Sequence, residues 1–118
     1  MLVIYLVALP LVLLAVSGTY FFADRGNTDI VSRLIYSSHG VIACVLFAGA
    51  FLVAAVFQPR VGYGLPFLAL YTVPLGVALA SLIHYRGPKI VHLLQIPNIC
   101  AMLFSLVIGH MAVTGEWL

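Results

Sequence analysis

The sequence predicts an all-α integral membrane protein, a single membrane domain over residues 1–118 with four transmembrane helices in two helical hairpins. Three observations carry that fold class. Of the 118 residues, 64% are apolar and 7% are charged, against about 45–50% and about 25% in a soluble domain. Five basic and three acidic side chains cannot cover a soluble surface. The mean hydropathy of +1.22 excludes intrinsic disorder, which needs low hydrophobicity and high charge. Finally, the apolar residues fall into four long runs with short polar breaks between them, and a bilayer core of about 30 Å asks for about 20 apolar residues per helix.

The runs cover residues 2–23, 34–57, 65–85 and 90–114. At about 1.5 Å per residue each is long enough to cross with some tilt. None alternates with period two, which argues against a barrel. The first run lacks a basic segment before it and exceeds the apolar core of a signal peptide. It therefore reads as a span, although Ala15-Val16-Ser17 loosely resembles a cleavage site. The first break, Asp24-Arg25-Gly26-Asn27-Thr28-Asp29, is the most polar stretch. Thr28 or Asp29 can cap the next helix, which starts before the membrane with Ser32 and Arg33 among the headgroups. Gln58 to Gly64 form the second break and Arg86-Gly87-Pro88-Lys89 the third. There Gly87 suits a left-handed helix end and Pro88 the first turn of the following helix. Pro10, Pro74 and Pro97 fall inside spans and are expected to kink them.

Loop charge sets the orientation. Arg25, Arg33, Arg86 and Lys89 lie in or beside loops one and three, against Arg60 alone in loop two. The positive-inside rule puts loops 24–33 and 86–89 in the cytoplasm and both termini outside a cell membrane. Tyr20, Phe21, Phe22, Tyr36, Phe57, Tyr63, Tyr85 and Trp117 near span ends match an interfacial aromatic belt. Cys44 and Cys100 lie inside apolar runs and read as small buried side chains rather than as a disulfide framework or a zinc site.

The function classes narrow next. A net charge of +2 is too small to argue for a nucleic-acid partner. No acidic residue lies within a span, which weighs against a proton-coupled transporter. No nucleophile motif and no phosphate-binding glycine loop is present, so no catalytic residue is assigned. Histidines are the informative group. His39, His84 and His92 all fall near the loop-one and loop-three side, from three different spans. His110 lies alone near the other side.

Neutral imidazole is an axial ligand for haem iron. One reading therefore makes two of His39, His84 and His92 the ligands of a haem b. Gly76 and Ala80 on span three, and Ala43, Ala50 and Ala54 on span two, would leave room for the macrocycle. Arg33, Arg86 and Lys89 would meet its propionates. The other reading makes these histidines packing or partner contacts, and the small residues, including the Gly40, Cys44 and Ala48 stripe, helix-packing positions. Gln95 and Asn98 on span four need partners at depth. Ser81, Thr72 or a carbonyl freed near Pro97 would serve, or else a quinone, another ligand or a neighbouring subunit.

With almost no mass outside the spans, the expected function is binding, as a small polytopic subunit or accessory protein within a larger membrane assembly. Its partners are the lipid bilayer and other membrane protein subunits. The alternatives are an electron-transfer subunit holding haem b or a quinone, and a small self-associating transporter or immunity-type membrane protein.

Overall fold

The computed structural model describes residues 1–24, 26 and 29–117. Arg25 and Thr28, invoked above for orientation and capping, lie outside the described residues. Those described form five α-helices: α1 (Leu2–Ala23), α2 (Ile30–Ser37), α3 (His39–Val56), α4 (Gly64–His84) and α5 (Gln95–Thr114). Short 3₁₀ turns at Val61–Tyr63 and Lys89–Leu94 precede α4 and α5. Four stretches are long and apolar enough to cross a membrane: Val3–Ala23, His39–Val56, Val61–His84 and Lys89–Thr114. The long axis of 46 Å matches a bilayer with its headgroup layers, about 40–45 Å.

Helices adjacent in sequence pack together, and α3 against α5 joins the two hairpins, with α1 and α4 flanking that pair. The core runs along this seam through Leu13, Ala43, Phe47, Ala50, Phe67, Tyr71, Ala101 and Met102. Gly40 permits the closest approach. A Cβ there would collide with the Leu13 carbonyl oxygen and the Ser17 hydroxyl, so α3 lies flush on α1 at this point. The thiol of Cys44, one turn on, points to the Pro10 carbonyl at 3.6 Å. Ala48 is exposed, so the small-residue stripe packs only over its first half.

The structure corrects several expectations of detail. The second apolar run is not one helix from 34 to 57. It breaks at Ser38, because Ser37 and Ser38 turn their hydroxyls back onto the Leu34 and Ile35 carbonyls at 3.4 and 2.7 Å. Side-chain oxygens that compete for carbonyls loosen the helical ladder. Here α2 becomes a separate element whose Ile30, Val31, Leu34 and Ile35 face outward. Asp29 caps it, accepting from the Val31 amide at 3.1 Å and the Ser32 hydroxyl at 3.0 Å.

Gly87 has no left-handed backbone, and α4 ends through an extended Tyr85. A glycine is required there because a Cβ would meet the Ala23 carbonyl oxygen. The left-handed glycine end belongs to α5, where Gly115 has φ 76° and its N–H bonds the Met111 carbonyl. Pro97 does not kink span four. That span opens as a 3₁₀ turn and becomes α-helical at Gln95, so Pro97 sits in the first turn, where its missing N–H costs no helical bond.

Candidate functional site: a buried polar joint between four helices

Gln95 and Asn98 are three residues apart on α5 and so share one face. That face is buried, with Gln95 3% and Asn98 0% exposed. The Asn98 amide donates one hydrogen to the Gln95 Oε1 at 2.7 Å and the other to the His39 Nδ1 at 3.3 Å. In turn the Gln95 amide donates to the Ser81 hydroxyl at 3.1 Å, and the Ser81 hydroxyl donates to the Ala78 carbonyl at 2.6 Å. One chain of hydrogen bonds thus runs from α3 through α5 to α4.

Tyr20 brings in α1. Its ring stands edge-on to His39, with centroids 5.5 Å apart, and its hydroxyl shares a hydrogen bond with the His92 Nδ1 at 3.0 Å. Tyr85 closes the group, in edge contact with both Tyr20 and His92. Each helix long enough to span therefore contributes to the joint, at the end of the bundle that carries loops one and three. A second pair lies deeper, where Ser105 donates to the Met102 carbonyl and accepts from the Tyr71 hydroxyl.

Three buried atoms of the joint have no hydrogen-bond partner among the described residues: His39 Nε2, Asn98 Oδ1 and the Tyr85 hydroxyl. Because Nδ1 of His39 accepts, its Nε2 carries the proton. Leaving such a donor unmatched costs about 1–3 kcal/mol. The joint is therefore not assembled for hydrogen-bond economy alone.

The residues singled out from sequence now have places. His39 and His92 meet at Tyr20. His84 is exposed, stacks on Tyr36 with centroids 4.4 Å apart and bonds the Ala80 carbonyl, away from that pair. This packing does not fit a bis-histidine haem: Tyr20, 2% exposed, fills the space between His39 and His92. Gly76, expected beside the macrocycle, is exposed and Ala43 is fully packed. Arg33 bonds the Phe21 carbonyl through Nε at 3.2 Å and Nη2 at 2.6 Å, and lies over the Phe21 ring.

Through its backbone, Arg86 binds loop one: its N–H reaches Asp24 Oδ1 and its carbonyl accepts from Gly26. Lys89 is exposed at the start of the second 3₁₀ turn. His110 lines a cleft with Leu68, Leu106 and Glu116 at the opposite end. Of the partners expected for the amides, Ser81 is one, whereas Thr72 bonds the Ala69 carbonyl on the exposed face of α4.

Tyr20 is the residue that sequence reading missed. It was expected in an interfacial belt and lies inside instead. Its spacing carried the signal, since Leu13, Val16, Ser17 and Tyr20 fall on one helical face, and all four are buried. Comparison with known proteins finds no match, whether among family models, curated proteins or solved structures.

Proposed function

We propose that the chain is a multi-pass protein of the cell membrane that works by binding, as a small subunit or accessory component of a larger membrane assembly. Loops 24–33 and 86–89 are cytoplasmic and both termini lie outside in this reading. The observation that carries it is the division of labour between interior and surface. The polar side chains of the interior are engaged with one another across four helices. The outward faces present Val45, Leu52, Leu79, Leu103, Phe104 and Val107. Such faces suit lipid and neighbouring apolar helices alike, and membrane helices associate through close packing on faces of this kind.

The test uses the intact chain in its own membrane. A photo-crosslinking residue at Leu103, Phe104 or Val107 should join the chain to one defined membrane protein, and the same residue at Val45 should report whether α3 faces it too. Products with a second copy of the chain would move the assignment to the self-associating alternative. Products with lipid alone at every position would refute the assembly reading. The haem-binding alternative predicts a Soret band in the purified protein, and the packing of Tyr20 leads us to expect none.

A further inference from the structure

We infer that the cleft between α1 and the α2–α3 elbow is a binding site for one anionic phospholipid. The inference rests on the membrane reading above and adds a ligand to it. The cleft has a volume of about 420 Å³ and is lined by Leu14, Ser17, Gly18, Phe21, Ser38 and Val41 among others. That volume lies within the range of about 300–1,000 Å³ usual for small-molecule sites.

Its chemistry is graded along its length. Leu14, Gly18 and Val41 form an apolar trough, and a Cβ built on Gly18 meets nothing within 4 Å, so the space over this glycine is open. Ser17, 4% exposed, lies in the wall. Its hydroxyl accepts from the Gly40 amide at 2.8 Å, and no described residue takes its proton. A hydroxyl with an unspent proton at this depth suits the ester carbonyl of a lipid.

Beside the cleft stands Arg33, next in the chain to the lining residue Leu34 and bonded to the lining residue Phe21. Two hydrogen bonds to the carbonyl of Phe21, itself a wall residue, hold the guanidinium in place, and no described carboxylate pairs with it. A guanidinium has five N–H donors, so donors remain for a phosphate, which it matches in geometry. An apolar trough that contains a hydroxyl, with a fixed cation beside Phe21, offers partners to the acyl chain, ester and phosphate of one phospholipid. The break at Ser38 lies in the wall of this cleft, where Ser37 and Ser38 end α2 and Val41 stands in the first turn of α3.

Native mass spectrometry tests the site. The full chain is reconstituted into vesicles of equal phosphatidylglycerol and phosphatidylcholine, then released into mild detergent. One phosphatidylglycerol should stay bound per chain, preferred about tenfold or more over phosphatidylcholine, the fold-change that one charge-assisted hydrogen bond confers. Arg33→Gln should abolish the preference and keep some retention. Gly18→Leu should abolish retention, because its side chain enters the open trough, and Leu14→Trp supplies a second obstruction should that variant fail to fold.

Flotation of the same vesicles separates the two readings. A chain that does not float overturns membrane insertion. A chain that floats yet retains no lipid, retains both lipids equally, or is unaffected by these substitutions overturns the site. Retention of an isoprenoid quinone from native membranes, in place of phospholipid, overturns it as well.

Discussion

Where α1 meets the second 3₁₀ turn, the helices are joined by hydrogen bonds between Tyr20, His92, His39, Asn98, Gln95 and Ser81. At the other end they are joined by shape. Phe67 lies over Gly109, where a Cβ would come within 2.6 Å of its ring, and Ala50 fits beside them. Gly64 sits beneath His110 and Thr114 in the same way. The polar end is specific because each donor needs its own acceptor, and a vacant partner leaves a desolvated group behind. The apolar end is specific only in volume, which side chains can partly redistribute. One small bundle therefore holds a directional joint that fixes helix register and a compliant end that fills space.

The largest test of this contrast lies where backbone meets backbone. Gly40→Leu forces a side chain into the Leu13 carbonyl and Ser17, neither of which can withdraw without separating α1 from α3. We expect a loss of about 3 kcal/mol or more, read by detergent-titrated unfolding of the reconstituted protein. An unchanged midpoint would remove Gly40 as the contact point.

Next comes the polar end. Asn98→Leu strips the Gln95 Oε1 and the His39 Nδ1 of their donor in one step. We expect about 2 kcal/mol, near the upper limit found for polar contacts between membrane helices. At the apolar end, Gly109→Ala meets a ring that can swing aside, and about 1 kcal/mol is expected. If Gly109→Ala proves more damaging than Asn98→Leu, the assignment of directional and compliant ends is reversed.

The smallest effect lies outside both ends. Hydrogen bonds from the Val31 amide and the Ser32 hydroxyl hold the Asp29 carboxyl below its ordinary value of 3.8. The cap's contribution is complete above the unfolded pKa and is lost as pH falls through the lower folded value. Amide exchange in α2 should therefore quicken only in strong acid, while exchange in α5 should not change over the same range. A loss of α2 protection already at pH 6 would exclude Asp29 as its cause.

Much of this architecture was legible in the chain. Hydropathy locates the four long apolar helices because apolar length is a coarse quantity, and α4 begins and ends one residue before the run expected at 65–85. The break at Ser38 was not legible in the same way. It lies within an apolar run and depends on hydroxyls that can bond either inward or to water. The amides of Gln95 and Asn98 announced a need for partners, and Ser81 was foreseeable as one. That His39 is the other depends on the rotation of α3 about its axis, which Gly40 sets by its contact with α1 and which no periodicity encodes. Histidine spacing suggested convergence at one depth. What it could not supply was Tyr20, the side chain that stands between two of them.

The separation of α2 from α3 also has a mechanical side. Relieved of its first eight residues, α3 retains 18, about 27 Å of helix at 1.5 Å per residue, whereas α1 with 22 residues reaches about 33 Å. A hydrocarbon layer of about 30 Å is thus slightly too thick for one stave of the bundle and too thin for another. In a bilayer of that thickness the tall helix would lean, and the short one would draw its leaflet inward around Val41 and Val56. Mismatch of this kind costs fractions of a kcal/mol per ångström and sorts proteins among membranes. Inserted in a bilayer, a bundle of unequal staves would hold a dimple on its α3 side, and thinner membranes would accommodate that dimple with least distortion.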